Sequence, residues 1–325
     1  MATEEAAGAS DASALPEAPA DAGERAFPPE FEAYVDEPLA QTAVGAPGKV
    51  GELEARFARD DGGKTRLVED YARVPYHLSG TLGHDRGRPD GTTVYVQSPT
   101  GGVAQGDRNR MALRAETDAL AHVSTQSATK VLAMNANCAR VDQTFVVGDG
   151  AHLEYVPEQT ILHDGARYCQ ETAVTLGRDA TVFLTETVVP GRLAREEAFE
   201  FERYYARTTV DGPDGRLLAD TTHLAPGDPH ADPRRAGVLD DYAVFGTAYL
   251  ATTRDVDCES LSERLHGRAS DTVARAAAST LPKDAGVVVR ALGDRASDVR
   301  AALHAAWDAS SRALRDAPAP DQRKN

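Results

Sequence analysis

The sequence predicts a mainly β protein in which many short strands are followed by two α-helices near the C-terminus. Two observations support this fold class. Between residues 45 and about 250, short segments alternate apolar with polar residues in the two-residue period of a strand, and Gly, Asp and Pro separate them. After residue 258 the spacing of the apolar residues becomes helical. No repeat of fixed residue period points to a propeller.

The alternation places the strands one after another. In residues 92–97, for example, Val94 and Val96 share one face of a strand while Thr93 and Tyr95 share the other. The strands predicted in this way cover residues 51–58, 65–72, 92–97, 110–115, 121–125, 141–147, 152–156, 160–163, 171–176, 181–188, 199–210 and 217–224, with a later one at 287–292.

Two amphipathic helices complete the predicted elements. The first covers residues 259–279, where Leu261, Leu265 and Val273 stand among alanines. The second begins near Asp294 or Ser297 and puts Trp307 on its apolar face. We expect that face to pack the helix on the sheet.

Residues 1–44 differ from the rest of the chain. They are rich in Ala, Glu, Asp and Pro and contain few large apolar residues, so their burial could not offset the entropy of ordering them. We therefore expect a disordered acidic tail over residues 1–44 and a single β-rich domain over residues 45–325.

The charge balance limits the partners of the chain. There are 51 acidic residues against 35 basic ones, which gives a net charge of -16. This excess is typical of a salt-adapted protein, because at molar salt the Debye length falls to about 3 Å and crowded carboxylates no longer repel one another strongly. No basic stripe offers counterion release, so we exclude nucleic acid as a partner.

The same composition bears on location. The longest apolar runs are far shorter than the roughly 20 residues that a membrane helix needs, and the N-terminus does not resemble a secretory signal. Three scattered cysteines, Cys138, Cys169 and Cys258, are too few for a disulfide framework. We expect a cytoplasmic protein without a membrane partner.

Two glycine-rich stretches resemble phosphate loops but lack their context. SPTGGVAQGD at residues 98–107 lies between two predicted strands, whereas a phosphate loop needs a helix N-terminus directly after it. GGKT at residues 62–65 would need glycine at position 58 to match a Walker A loop, and Ala58 stands there. We interpret the first as a corner between strands and the second as a hairpin turn.

Acidic residues on predicted strands are the most specific indication of a functional site in the sequence. Glu186 shares a strand face with Leu184 and Val188, and Asp220 shares one with Leu218 and Leu224. An ionised carboxylate among apolar neighbours needs a partner, a metal or water. An arginine partner or a turn-stabilising hydrogen bond is the more ordinary interpretation for these acids, for Glu154 on its strand and for Asp107 at the end of the glycine corner.

Softer candidate metal ligands are scattered through the same region. His163 and Cys169, with His152 and Cys138 before them, suit a late first-row divalent metal if the fold gathers them. The spacing of these residues does not show whether it does.

Six motifs in order resemble a known family. They are GGKT (62–65), PTGGVAQGD (99–107), STQSATKV (124–131), LEYVPEQTILHDGA (153–166), GRLAREE (191–197) and RLLAD (216–220). Together they are similar to the successive signatures of urease accessory proteins of the UreD, or UreH, type. The segment GVLDDYAVFGTAYL (237–250) and the Trp-bearing helix resemble the C-terminal part of that family more loosely.

The resemblance implies a fold and a function. The fold would be a many-stranded, helically wound β body with two α-helices. The chain would not be an enzyme: with a UreF-type accessory protein and a UreG-type GTPase it would dock on the urease apoprotein in the cytoplasm, so that nickel reaches the urease active site. Nickel would be bound only in transit, along a passage lined partly by carboxylates.

Matching the motifs one by one assigns four residues to that passage. Asp107 matches the acid that ends the glycine turn, and Glu186 the acid five residues before the GR of GRLAREE. Glu197 closes that motif, and Asp220 takes the place of a Glu after the RLL-type strand. His163 stands where the family often has Phe, and it is either an added ligand or a salt-adapted surface change.

Two other functions fit the same residues. A β-helical hydrolase could use paired carboxylates on a concave face. A nickel-storage protein would instead retain the metal without a partner.

Overall fold

The structure is a computed structural model that describes residues 26–39, 49–82 and 87–320. Its strands, in chain order, are β1 (Val50–Arg59), β2 (Thr65–Arg73), β3 (His77–Leu78), β4 (Thr92–Gln97), β5 (Arg108–Ala115), β6 (Leu120–Thr125), β7 (Thr129–Val131), β8 (Ala139–Val147), β9 (His152–Val156), β10 (Thr160–Leu162), β11 (Arg167–Leu176), β12 (Thr181–Val189), β13 (Arg203–Gly212), β14 (Gly215–Leu224), β15 (Val244–Thr252), β16 (Arg275–Thr280) and β17 (Gly286–Gly293). Its α-helices are α1 (Glu32–Val35), α2 (Cys258–Ser270) and α3 (Ala296–Arg315).

The strands form two sheets that face each other. Sheet A has the order β14-β13-β11-β8-β5-β1-β2, and the main path of sheet B has the order β16-β17-β15-β12-β9-β6-β4-β3. From β4 to β13 the chain passes from one sheet to the other, and strands of successive coils pair in parallel. This confirms the mainly β, helically wound body with two helices near the C-terminus.

Among the described residues, apolar side chains fill three large layers, and a smaller cluster surrounds Phe31. At one end of the space between the sheets lie Phe57, Phe145 and their neighbours, and at the other end lie Tyr168, Tyr204 and theirs. A further layer joins the outer face of sheet B to α2 and α3, with Trp307 1% exposed. Trp307 therefore packs the helix on the sheet, as predicted.

The predicted corner and hairpin are also present. Residues 98–107 connect β4 of sheet B to β5 of sheet A, and residues 60–64 turn between β1 and β2. In the corner, Gly102 has φ 151°, and a Cβ there would lie 2.5 Å from the carbonyl oxygen of Lys130. Glycine is therefore needed for the close approach of the two backbones.

Some element predictions were wrong. The helix predicted over residues 259–279 ends at Ser270, because the chain turns there and returns as β16, with Val273 88% exposed in the turn. The strand predicted from residue 199 begins at Arg203, because Phe199 has φ 62° and cannot be extended. The short strands β3 and β7 and the longer β15 and β16 were not predicted.

Residues 26–39 differ from the tail expected over residues 1–44. Phe31 is fully buried against Cys138, Cys169 and Tyr205 on the outer face of sheet A. The prediction was based on the composition of residues 1–44 as a whole. It did not anticipate this burial, because a few aromatic residues are enough to dock a short segment. The rest of that tail, residues 1–25 and 40–44, lies outside the described residues.

Within the described part of the chain, none of the helices combines the length and the apolar character that crossing a membrane requires.

Candidate functional site

A cavity of about 320 Å³ lies between the two sheets. Its walls come from both apolar layers between the sheets, for example Met111 and Leu184 from one and Val141 and Tyr168 from the other. Exposed residues of two loops, including Ser98 and Ser127, also line it. The cavity therefore opens to the surface between these loops, which carry the motifs PTGGVAQGD and STQSATKV.

A polar row crosses the wall that sheet A gives to this cavity. Strand register aligns Met111 on β5, Gln143 on β8, Thr172 on β11, Thr208 on β13 and Asp220 on β14. The first four line the cavity, and Asp220 is the next position in the row. Neighbouring strands are about 4.8 Å apart, so from β8 to β14 the row offers closely spaced oxygen and nitrogen atoms across four strands.

Hydrogen bonds join parts of the row to the opposite sheet. The Thr172 hydroxyl donates to Gln143 Oε1 at 2.8 Å, and Gln143 Nε2 donates to the Tyr155 hydroxyl at 3.1 Å. Polar groups buried between sheets are stable only when they are paired or reach water. Near the same wall, Oδ1 of buried Asn109 is an acceptor without a hydrogen-bond partner among the described residues.

Glu186 faces the cavity from sheet B. β12 places it on the same face as Leu184, and its Oε1 accepts hydrogen bonds from the Tyr204 hydroxyl (2.5 Å) and Gln170 Nε2 (3.3 Å). Burial raises the pKa of Glu186 to about 7, the hydrogen bond from Tyr204 opposes this, and the charge of Asp220 adds to it. Near neutral pH this carboxyl can therefore hold or release a proton.

Asp220 stands at the edge where the two sheets come together. Its Oδ2 accepts a hydrogen bond from the Tyr249 hydroxyl at 2.7 Å, and it pairs with Arg290, a side chain that is 59% exposed. Tyr249 lines the same cavity as Glu186. The structure thus brings Glu186 and Asp220 to one side of the cavity, with Asp220 toward the solvent.

Asp107 and Glu197 lie elsewhere. Neither lines the cavity. The fully buried Asp107 accepts hydrogen bonds from the backbone N–H groups of Lys49 and Ala104, both at 2.9 Å, and forms an ion pair with the Lys49 ammonium at 3.2 Å. These contacts close the turn at the end of the glycine corner and tie it to the start of β1.

Glu197 holds together the loop of the motif GRLAREE. Its two carboxylate oxygens accept from Arg192 Nε and Nη2 at 2.5 and 2.6 Å. Gly191 has φ 139°, and a Cβ there would lie 1.5 Å from the Glu197 carbonyl oxygen, so only glycine fits. Burial and the charge of Arg192 lower the pKa of nearby His163, while Glu197 acts in the opposite sense.

The softer candidate ligands are not gathered into one place. Cys138 and Cys169 pack together under Phe31, whereas His152 lies in a different buried cluster and His163 near Glu197. Among residues 26–39, 49–82 and 87–320, no three His, Cys, Asp or Glu side chains are arranged so that they could hold a metal ion.

The buried cluster around Glu154 lies on the other face of sheet B, under α3. Glu154 accepts a hydrogen bond from Arg88 Nη1 at 2.6 Å and lies 3.3 Å from His122 Nδ1 and 3.2 Å from His152 Nε2. Arg88 also donates to Ser311 Oγ of α3 at 2.5 Å. Burial acts to raise the pKa of Glu154, but Arg88 and the two histidines hold it well below its usual range.

Sequence reasoning missed Arg88, His122 and the polar row. The row depends on the register between strands that lie far apart in the sequence. A Gln or Thr on a single strand gives no sign that it faces inward. The interruption of an apolar face, which identified Glu186, was the only usable local signal.

Known proteins match this chain over most of its length. Residues 49–325 match the sequence model of a family described as "UreD urease accessory protein". A relative named "Urease accessory protein UreD" from Haloarcula marismortui is 54% identical over 296 residues, which cover 91% of this chain and 97% of the relative.

More distant relatives match over similar lengths. One with the same name from Natronomonas pharaonis is 44% identical over 92% of this chain and 99% of its own length. "Urease accessory protein UreD 2" from Streptomyces griseus is 36% identical over 87% of this chain and 96% of its own length. The chain therefore belongs to the UreD family of urease accessory proteins.

Proposed function

We propose that this chain is a non-catalytic urease maturation factor through which nickel passes on its way to apo-urease. Membership of the UreD family supports the role in maturation. In this proposal the chain acts in the cytoplasm, docks on the urease apoprotein, and works with a UreF-type accessory protein and a UreG-type GTPase. Nickel is its cargo.

The observation that carries the nickel route is the polar row beside Glu186. The row runs along one wall of a cavity that opens between two loops, and it ends at Asp220 near the surface. A cation in transit must be bound well enough to enter and weakly enough to leave. Single carboxylates separated by amides and hydroxyls meet this condition, because each offers Ni²⁺ an oxygen ligand without enclosing it.

Asp107 and Glu197 have supporting roles in this proposal. Asp107 fixes the glycine corner whose exposed residues form one side of the cavity opening. Glu197 fixes the loop after β12, the strand that carries Glu186. Both shape the surroundings of the route, and Glu186 and Asp220 contact the metal.

Co-expression with urease tests the proposal. The double variant E186Q/D220N is produced with the urease subunits and the other accessory proteins, and nickel per urease active site is measured with urease activity. We expect both to fall while the variant still co-purifies with its UreF-type partner, because Glu186 lies inside the cavity and the Asp220 side chain is only 21% exposed.

The matched control is E200Q/D214N, which replaces two exposed carboxylates outside the cavity. It should leave nickel content unchanged. Full nickel loading by E186Q/D220N would overturn the proposed route. Turnover of a glycan by the isolated chain would favour a hydrolase, and stoichiometric nickel retention without a partner would favour storage.

A further inference from the structure

Sheet B contains a gap beside Glu186. β9 pairs with β12 from Thr181↔His152 to Leu184↔Tyr155, and β10 pairs with β12 only from Val188↔Thr160 onward. Residues 157–159 leave the sheet between these two ladders. Residues 185–187 of β12 therefore lack a ladder partner on that side.

The neighbouring coil is interrupted at the same level. β6 pairs with β9 as far as Ser124↔Val156, and β7 pairs with β10 from Thr129↔Thr160 onward. Two successive coils thus leave the ladder side by side. Because a continuous ladder seals a sheet at a strand spacing of about 4.8 Å, aligned interruptions leave a slot through it.

Hollow space lies on both sides of this slot. On the inner side, the cavity between the sheets is lined by Pro157, Thr185 and Thr187. On the outer side, a pocket of about 60 Å³ under α3 is lined by the same three residues. Arg300 and His304 of α3 add polar groups to the outer pocket, and Val156, Leu303 and Trp307 complete its lining.

An ion pair closes the slot from the α3 side. Glu158 lines the inner cavity, and its carboxylate lies 2.6 Å from Arg300 Nη1. Arg300 Nη1 also donates to Gln159 Oε1 at 3.4 Å. The side chain of Arg300 is 38% exposed and that of Glu158 is 9% exposed, so this pair stands between solvent and the cavity.

We propose that the slot at residues 157–159 is a second opening of the cavity, closed by the Arg300–Glu158 pair and used by the same divalent cation. The inference rests on the proposed nickel route and adds a lateral gate to it. A cation that reaches the outer pocket meets the imidazole of His304 and the hydroxyls of Thr185 and Thr187. When it replaces the guanidinium on Glu158, the gate opens toward Glu186.

Thiol labelling tests the gate independently of urease. Thr208→Cys puts a reporter on the far wall of the cavity, and Ser98→Trp, in the glycine corner, narrows the opening between the two loops without altering the slot. The probe is a trimethylammonium methanethiosulfonate, a small cation. Labelling of the reporter is followed by mass spectrometry, and the chain without T208C corrects for the three native cysteines, which are buried.

Adding R300Q to this protein should raise the labelling rate about fivefold, the change expected when a partly exposed ion pair worth about 1 kcal/mol is lost. R300K, which keeps the charge, should leave labelling slow. R312Q is the matched control, because Arg312 pairs with Asp308 on the outer surface of the same helix. Equal rates for R300Q and R312Q would overturn the gate.

The two proposals fail in different ways. If nickel does not follow this cavity, E186Q/D220N leaves urease fully loaded whatever the labelling rates are. If the lateral gate does not exist, labelling is insensitive to R300Q while E186Q/D220N still lowers the nickel content of urease.

Discussion

Glu186 is the residue whose environment bears most directly on metal transfer. Its pKa of about 7 means that proton and cation compete for the same carboxylate near neutral pH. The same property has a consequence for stability. A carboxyl whose pKa is higher in the folded chain than in the unfolded chain makes folding less favourable as pH rises from its usual value near 4.5 to about 7.

We therefore expect E186Q to be more stable than the wild type at pH 8 and to lose this advantage at pH 5. One pKa unit corresponds to about 1.4 kcal/mol, so the difference at pH 8 is on the order of 3 kcal/mol or less. Urea unfolding at the two pH values measures it. The same difference between the proteins at both pH values would contradict the pKa assigned to Glu186.

The pKa of His152 predicts a loss of folding stability as pH falls, which is opposite in sign to the effect of Glu186. Burial lowers its pKa below the usual 6.5, although Glu154 acts in the other direction. A histidine that is neutral in the fold and more readily charged when unfolded removes stability as pH falls through about 6.5. The depressed pKa of Glu154 adds to this loss at lower pH.

We expect the stability change of H152Q between pH 7.5 and pH 5.5 to be more favourable than that of the wild type, because the variant lacks the loss due to His152 while both proteins share the opposite contribution of Glu186. The comparison is the shift of the urea midpoint between these pH values for each protein. H230Q serves as the control, since His230 is exposed. If H152Q and H230Q shift by the same amount as the wild type, His152 is not the group that titrates.

Residues 26–39 form a docked segment that was not predicted from the sequence. Its aromatic side chains stack on arginines of sheet A: Arg108 and Arg140 each lie 4.8 Å from the Phe27 ring centroid, and Arg167 lies 4.5 Å from that of Tyr34. Cation–π contacts of this kind are each worth roughly 0.5–2 kcal/mol. Together with the burial of Phe31 they hold the segment against the sheet.

F31A should detach this segment locally. Phe-to-Ala substitutions in a core cost about 3–5 kcal/mol, which is enough to release a short docked segment without unfolding the domain. We expect Cys138 and Cys169, which pack under Phe31, to react faster with a thiol reagent in F31A. Cys258 packs elsewhere and is the internal control. If Cys138 and Cys169 react no faster in F31A than in the wild type, the docking is refuted.

The apolar/polar alternation of the sequence predicted some strands and missed others. Strands with one face in the core alternate visibly, so β1 and β5 could be predicted from their two-residue period alone. β15 was missed because all nine of its residues are buried, and a strand that is buried on both faces has no alternation. The alanine-rich stretch around β16 fits helix and strand equally well, and only its pairing with β17 decides between them.

The candidate site shows the same limit. Glu186 and Asp220 could be found because a carboxylate on an apolar face is unusual. Gln143, Thr172 and Thr208 could not, since polar residues on strands usually face solvent. Only the winding of the chain into coils of fixed register places these three side chains in one row.

The chain as a whole carries a large negative charge. Its net charge of -16 favours the unfolded state through repulsion at low ionic strength. Raising KCl from about 0.15 M to about 1 M shortens the Debye length from about 8 Å to about 3 Å. We therefore expect the thermal unfolding midpoint to rise over this range in a calorimetric scan; a midpoint that falls would show that attractive ion pairs outweigh the repulsion.

The central claim is that nickel passes between the two sheets along the carboxylates of Glu186 and Asp220. The most direct measurement is an anomalous difference map at the nickel edge from crystals soaked in nickel. We expect peaks inside the cavity beside Glu186 and near Asp220, and no cavity peak in E186Q. Nickel bound only on the outer surface, in a protein that still loads urease, would contradict the claim.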